Sequence, residues 1–351
     1  MSEESGHLNR VLNLDELQAL TIEFHAGLGE SLGQPYLVVD LDKPCTANPD
    51  LARVGNWLRH QAMPVIGLGV SAIGGLAPYV DVIASSPLEL ERLTTRINSN
   101  PVSSAVLVQV LRTTAQMPIQ DALTVESLAF STLQSGAEFQ HWLTQYRQDH
   151  PAGKLDRPTI ESGSKGIENE SPPVLLSFRQ DHLEILLNRP DNHNAFSAEM
   201  RDALFDAFQL VAIDKSIKYA RVSGLGQCFC TGGDLAEFGE FNNAAEAHLI
   251  RTLKLPSRIL ADIPDRIEFH LHRACIGSGI EIPAFSSRVS AHPKTYFQLP
   301  EISMGLIPGA GGCISIPARI GRQRTAWLAI TGKKINAKTA LDWGLIDSIE
   351  D

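Results

Sequence analysis

The sequence predicts an α/β fold, and three observations carry that prediction. In the second half of the chain, short apolar runs alternate with loops and with helical spacings. In the first half, two strand-like runs precede a long stretch of helical periodicity. Between the halves, residues 151–173 (PAGKLDRPTIESGSKGIENESPP) are rich in Pro, Gly, Ser and charge, the composition of a linker. At 351 residues the chain is long enough for two units, each with a core of its own.

Taken in order, residues 36–41 and 64–70 read as strands. Residues 87–148 read as mostly helical. Leu88, Leu90, Leu93 and Ile97 pattern one helix; residues 102–111 and 125–133 suggest two more, and residues 139–146 a short last one. After the linker, residues 174–178 are a strand with residues 182–187 as its hairpin partner. Met200, Leu204, Phe205, Phe208 and Val211 lie at helical spacing behind Ser197, which predicts a helix capped by that serine with Glu199 near its first turn. Residues 220–224 form a buried strand, a loop runs from 226 to 235, a helix follows, and residues 269–272 make a further strand before a glycine turn at 277–279.

Composition bounds the function. The chain is 43% hydrophobic and 20% charged, ordinary for a soluble globular protein. A net charge of −10 argues against a nucleic-acid-binding surface, though not against an anionic ligand met by a local basic patch. The five cysteines, Cys45, Cys228, Cys230, Cys275 and Cys313, are odd in number and form no C-x-x-C pair, which suits free thiols in a reducing cytosol. The first residues are acidic and polar, unlike a signal peptide, and no apolar run reaches the length of a membrane span. The expectation is a cytoplasmic protein without nucleic-acid or membrane partners.

Chemistry points to the last third. Glu281 closes Gly277-Ser278-Gly279-Ile280-Glu281, and Glu301 opens a segment that runs to Gly309-Ala310-Gly311-Gly312. Paired carboxylates can move protons on and off a substrate, and a glycine turn at a helix start offers N–H groups to an oxyanion. Each feature alone has a plainer reading: a strand-to-helix turn, a helix-start glutamate, a solvated glutamate. Asp234 reads as a helix cap rather than a reactive group. His270 and His272 share a strand face but have no third ligand at a recognised spacing, so they read as a packed or surface pair and no metal is expected. The third glycine after Gly67-Leu68-Gly69 comes too late, at Gly74, for a dinucleotide fingerprint, and no Lys-Ser/Thr pair follows residues 309–312 as a P-loop requires. Cys228 and Cys230 read as small buried hydrophobes, and the leucines of 88–111 as core.

These motifs together resemble the crotonase superfamily, the enoyl-CoA hydratases and isomerases. Asn188-Arg189-Pro190 with Asn194-Ala195-Phe196-Ser197 is similar to its opening, residues 223–235 to its first oxyanion segment, residues 277–281 to its second, and residues 300–312, Gly321-Arg322 and 328–345 to its closing core. The resemblance covers about residues 174–351 and implies a crotonase-like ββα-spiral core. Family members continue past the equivalent of Asp351 with further helices. Residues 86–150 resemble that tail, in Ile97-Asn98-Ser99-Asn100-Pro101, in Glu126-Ser127-Leu128-Ala129-Phe130 and in residues 139–147, which suggests a permuted arrangement. Residues 1–85 resemble a degenerate first half of the same fold, with residues 64–69 and 74–77 as its strand and glycine turn and Ala77 where a catalytic glutamate would stand. The domains expected are therefore 1–85, 86–150, the linker 151–173 and the catalytic core 174–351.

The resemblance implies an acyl-CoA thioester substrate and syn hydration of a 2-enoyl-CoA. Glu301 would deliver a proton to Cα and Glu281 would activate the water. The N–H groups of Gly233 and Ser278 would form the oxyanion hole, with Gly232, Gly277, Gly279 and Gly309 supporting the turns. CoA would enter only as part of the substrate, with no other cofactor, and the protein would be a homo-oligomer, trimer-based in this family. Double-bond isomerisation, hydrolytic carbon–carbon cleavage, and a non-catalytic acyl-CoA-binding scaffold remain as alternatives. Pro283, two positions after Glu281, replaces a usually small residue. His272 and Arg273 stand where the family has Asn and Gly, which leaves the acyl chain open.

Overall fold

A computed structural model describes residues 11–23, 34–43, 50–69, 75–150, 171–180, 182–240 and 243–350. Cys45, Val70, Gly74 and most of the linker lie outside them.

The first strands, β1 (Val11–Leu12), β2 (Leu37–Asp40), β3 (Val65–Leu68) and β4 (Val82–Ala84), make a parallel sheet in that order. Their near-continuous apolar character fits strands covered on both faces. α1 (Leu14–Glu23) and α2 (Leu51–Arg59) accompany the sheet; Leu17, Val54 and Leu58 bury against Val39 and Val65. Four helices follow: α3 (Pro87–Ser99), α4 (Pro101–Thr114), α5 (Ile119–Gln134) and α6 (Ala137–Asp149). Proline opens α3 and α4, where its missing N–H costs nothing, and Ser86 caps α3 by accepting the Glu89 N–H at 3.3 Å. The helical stretch read from the sequence is thus four helices. One expected core residue is not core: Leu88 is 56% exposed, because Leu90, Leu93 and Ile97 already define the buried face of α3.

In the second half, β5 (Val174–Arg179) pairs antiparallel with β6 (His182–Leu187). β6, β7 (Tyr219–Gly224), β8 (Ile267–Leu271), β10 (Arg288–Ala291) and β13 (Ser348–Ile349) then run parallel. His272 falls just beyond β8 rather than in it. A second, three-stranded sheet holds β9 (Ala274–Ile276), β11 (Tyr296–Gln298) and β12 (Ile335–Asn336). The helices of this half are α7 (Ala198–Ile213), capped by Ser197 as its sequence predicts, α8 (Ala244–Lys254), α9 (Pro256–Asp262), α10 (Ser278–Glu281), α11 (Gly312–Ile320), α12 (Arg322–Thr331) and α13 (Ala337–Trp343). No helix of the described residues is long and apolar enough to cross a membrane.

The two halves share a core. α3 packs on α12, α4 on α11 and α12, α5 on α8, α9 and α11, and α6 against residues 301–304. Leu93, Leu107, Leu123 and Phe139 are buried in one cluster with Leu306, Ile316 and Leu328. A buried ion cluster adds a polar lock: Asp81, fully buried at the end of the first sheet, pairs with Arg112 of α4 and Arg322 of α12. A buried charge of this kind needs both partners, so it fixes the placement of the first sheet against the second half.

If α3–α6 supply one wall of this core, residues 174–351 made alone will expose it. The expected result is an insoluble or molten fragment that binds a hydrophobic dye and melts without cooperativity in calorimetry. A monodisperse fragment with a sharp melting transition would contradict the packing described.

Candidate active site

Parallel register assembles the site. β9 pairs with β11 so that Ile276 lies opposite Gln298. Beyond their C-terminal ends the chain reaches Glu281 from one strand and Glu301 from its neighbour. On the other side of β9, Cys230 bridges Cys275 in parallel register, with its N–H on the Ala274 carbonyl at 3.2 Å and its carbonyl accepting from Ile276 at 3.1 Å. Gly233 and Ser278 stand at matching positions beyond that bridge. Asn194, wholly buried, pins the loop leading to Gly233: it accepts from the Arg189 N–H at 2.8 Å and donates to the carbonyls of Leu225 and Cys228.

The turn at Gly277 needs glycine twice over. Its φ is +52°, and a Cβ there would lie 2.6 Å from Glu301 Oε1 and 3.6 Å from Glu281 Oε1. The same numbers show that both carboxylates face one small space. Gly279 has no positive φ; it lies where a side chain would strike the Cys230 carbonyl. The helix after the turn is only the four residues of α10, so the help expected from a helix dipole is small and the N–H groups themselves are what the turn presents. Among the described residues, the N–H groups of Gly233 and Ser278 have no protein acceptor. Both residues line a cavity of about 260 Å³ with Glu281, Glu301 and Gly309. Gly232, with φ +91°, turns the chain immediately before Gly233. Apolar walls come from Phe130, Phe238, Ile250 and Leu255, and polar ones from Gln134, Arg201 and Arg251.

Glu281 is buried, and its Oε2 accepts the N–H groups of Ala310 at 2.7 Å and Gly312 at 3.0 Å. Burial raises its pKa to about 7, against the opposing effect of those N–H groups and that of Gly309. Glu301 sits in the turn Glu301–Met304. Its Oε2 is buried and has no hydrogen-bond partner among the described residues. Burial, then the charge on Glu281, pushes the Glu301 pKa well above the carboxylate range. The two carboxyls differ in their hydrogen bonding: Glu281 Oε2 is held by the N–H groups of Ala310 and Gly312, whereas Glu301 Oε2 has no partner among the described residues.

A third carboxyl, not assigned to the site from sequence, joins them. Glu126 of α5 is 1% exposed and accepts from Gly311 N–H at 2.7 Å and Cys313 N–H at 2.8 Å. Burial and the charge of Glu281 raise its pKa to about 8. The sequence did carry a signal for it: Glu126 falls on the helix face that buries Ala122, Leu123, Ser127 and Leu133, where an unpaired carboxylate has no ordinary place. α5 also gives the cavity Phe130 and Gln134.

The remaining sequence candidates have structural partners. Asp234 caps the turn that follows it, accepting from Ala236 N–H at 3.0 Å, and receives Asn192 Nδ2 at 3.1 Å. His270 Nδ1 meets Ser290 Oγ at 3.0 Å, and His272 Nε2 meets the Gly226 carbonyl oxygen at 3.2 Å. Cys228 and Cys230 are buried, as is Cys275.

One cavity thus brings together two N–H groups without an acceptor among the described residues and the carboxyls of Glu281 and Glu301, the arrangement that the crotonase resemblance implies. Residues 178–350 match the family described as Enoyl-CoA hydratase/isomerase. The Bacillus subtilis protein YngF, named for the same family, is 27% identical over 178 residues, covering 50% of this chain and 68% of its own. An enoyl-CoA isomerase/hydratase of Mycosarcoma maydis is 29% identical over 174 residues, covering 47% of this chain and 64% of its own. The crystal structure of an enoyl-CoA hydratase from Thermoplasma volcanium is 30% identical, covers 52% of this chain and 73% of that one, and has a TM-score of 0.48. The chain belongs to the enoyl-CoA hydratase/isomerase family, and it spans about two thirds of the length of the Bacillus and Mycosarcoma relatives.

The raised carboxyl pKa values set a pH dependence of stability. From about pH 4.5 up to about pH 7 for Glu281 and about pH 8 for Glu126, the folded protein keeps protons that the unfolded chain has released. The native state then binds more protons than the unfolded one, so stability falls as pH rises through this window. Urea unfolding across it should show that decline for the wild type and a shallower one for Glu281→Gln. Equal slopes would contradict the burial-raised values.

Proposed function

We propose that this protein is an enoyl-CoA hydratase acting through two carboxyls. The observation that carries the reading is the pair Glu281 and Glu301: both face one space, burial raises the pKa of each, and they lie beside the N–H groups of Gly233 and Ser278. In this reading the thioester oxygen accepts from those two N–H groups. Water between the carboxyls gives a proton to Glu281 as its oxygen bonds to Cβ. The Cα=Cβ electron pair shifts toward the carbonyl, leaving an enolate whose oxygen the N–H groups stabilise. Glu301 then supplies its proton to Cα from the same face, so addition is syn. Glu281 ends protonated and Glu301 ionised, and exchange with solvent restores both.

The energetic division follows from the geometry. Each preorganised N–H donor is worth about 3 kcal/mol to a developing oxyanion, by analogy with acyl-transfer enzymes. Glu281, oriented by the N–H groups of Ala310 and Gly312, which favour its ionised form, suits the base. Glu301, with its unpartnered oxygen and high proton affinity, suits the acid. A binding scaffold would gain nothing from burying these carboxyls.

Loss of the enoyl-thioester absorbance tests the proposal, with crotonyl-CoA and a bulkier branched enoyl-CoA as substrates. Wild-type turnover reduced at least about 100-fold by both Glu281→Gln and Glu301→Gln is expected, since general acid–base groups contribute on that order. Activity on a shifted double bond that only Glu301→Gln removes would make the protein an isomerase. Binding of CoA esters without any turnover would make it a scaffold.

A further inference from the structure

Four consecutive backbone N–H groups, those of Ala310, Gly311, Gly312 and Cys313, donate alternately to two carboxyls. Ala310 and Gly312 go to Glu281 Oε2; Gly311 and Cys313 go to the two oxygens of Glu126. These residues open α11 and would otherwise leave their N–H groups unpaired in a buried place. Neither carboxyl can turn away without stranding two donors. Gly312 tightens the fit further, since a Cβ there would lie 2.6 Å from Glu281 Cγ. The Ser315 hydroxyl closes the same unit by donating to the Glu281 carbonyl at 2.7 Å.

We propose that Glu126 is a positioning residue for Glu281: by gripping the intervening N–H groups of the 310–313 turn, it fixes the orientation of the Glu281 carboxyl. Helix α5, from the other half of the chain, would thereby be part of the catalytic apparatus without touching substrate; Glu126 itself is not on the cavity wall.

The charged surroundings of the pair come from every element packed on it. Glu301 approaches from the turn after β11, Cys313 from α11 and Cys230 from the loop before Gly233. Arg251 and His248 come from α8 and Arg258 from α9. Neither arginine neutralises Glu126 directly. Arg251 donates to Ser127, Ser131 and Gln134, while Arg258 donates to Gln120 and Thr124. Glu126, Glu281 and Glu301 are coupled carboxyls, and such groups lose their protons in steps that belong to the set.

The test joins a titration to kinetics. In ¹³C-glutamate-labelled full-length protein, with Glu281→Gln identifying the Glu281 resonance, that resonance should report the titrations of Glu126 and Glu301 beside its own. In Glu126→Gln the step due to Glu126 should vanish and the coupling to Glu301 remain. Gln presents one carbonyl oxygen and one NH₂, so one of the Gly311 and Cys313 donors loses its acceptor and the turn loosens. Hydration of crotonyl-CoA is then expected to lose about tenfold in kcat with KM within about twofold, since misplacing a catalytic group by a fraction of an ångström costs this much or more. A Glu281 resonance and kcat equal to wild type, with only a lower Tm, would overturn the proposal and leave Glu126 a structural residue. Should Glu126→Gln not fold, Glu126→Asp keeps the carboxyl but shortens the reach: a fall in kcat supports the proposal and a wild-type kcat overturns it. The inference leans on the hydratase reading only for kinetics. If the wild type turns over no enoyl-CoA, that reading fails while the resonance still decides the role of Glu126, for which Glu126→Asp must then give a changed Glu281 titration.

Discussion

The turn at residues 310–313 is the constraint on which the rest of the site depends. Its N–H groups must be satisfied in a place closed to water, and the chain satisfies them with carboxyls from two distant segments, Glu281 and Glu126. An unpaired buried donor costs about 1–3 kcal/mol, so four of them bind the segments together more firmly than apolar contact alone. The cost is borne by the carboxyls, which stay buried with proton affinities raised by desolvation and by one another. Stability and reactivity thus come from one arrangement: the contacts that close the core also hold proton-carrying groups at an unusual pKa.

Parallel strand pairing accounts for the other half of the site. In a parallel ladder, successive strands end on the same edge, so whatever follows them in sequence meets in space. Gly233, Ser278 and Glu301 follow three neighbouring segments of one such ladder, with Cys230 opposite Cys275 and Ile276 opposite Gln298. The positive φ of Gly277 then turns the chain sharply, and the Ser278 N–H has no acceptor among the described residues. Nothing in this arrangement requires a long helix, and α10 has only four residues.

Much of this was legible in the sequence because it is local. Ser197 as a cap, the apolar alternation of His182–Leu187, the glycines around Glu281 and the proline-opened helices Pro87–Ser99 and Pro101–Thr114 each report on their own neighbourhood. The expected carboxyl pair and the expected N–H pair line one cavity for the same reason: their motifs sit at strand ends. Glu126 was not legible as part of the site, because its partner Gly311 lies 185 residues on and no local pattern links them. Only its position on an otherwise buried helix face marked it. Leu88 shows the reverse error, where helical spacing alone overestimated the width of the buried stripe on its helix. The ion cluster of Asp81, Arg112 and Arg322 was likewise invisible, since each of its members is an ordinary charged residue in its own segment.

The central claim is that the N–H groups of Gly233 and Ser278 receive a thioester oxygen in front of paired carboxyls. The vibrational spectrum of a bound 2-enoyl-CoA, held without turnover by Glu301→Gln, tests this directly. Two hydrogen bonds to the carbonyl predict a C=O stretch clearly lower than in free solution, with electron density drawn away from Cβ. An enoyl-CoA that binds with its C=O stretch unshifted would contradict the account.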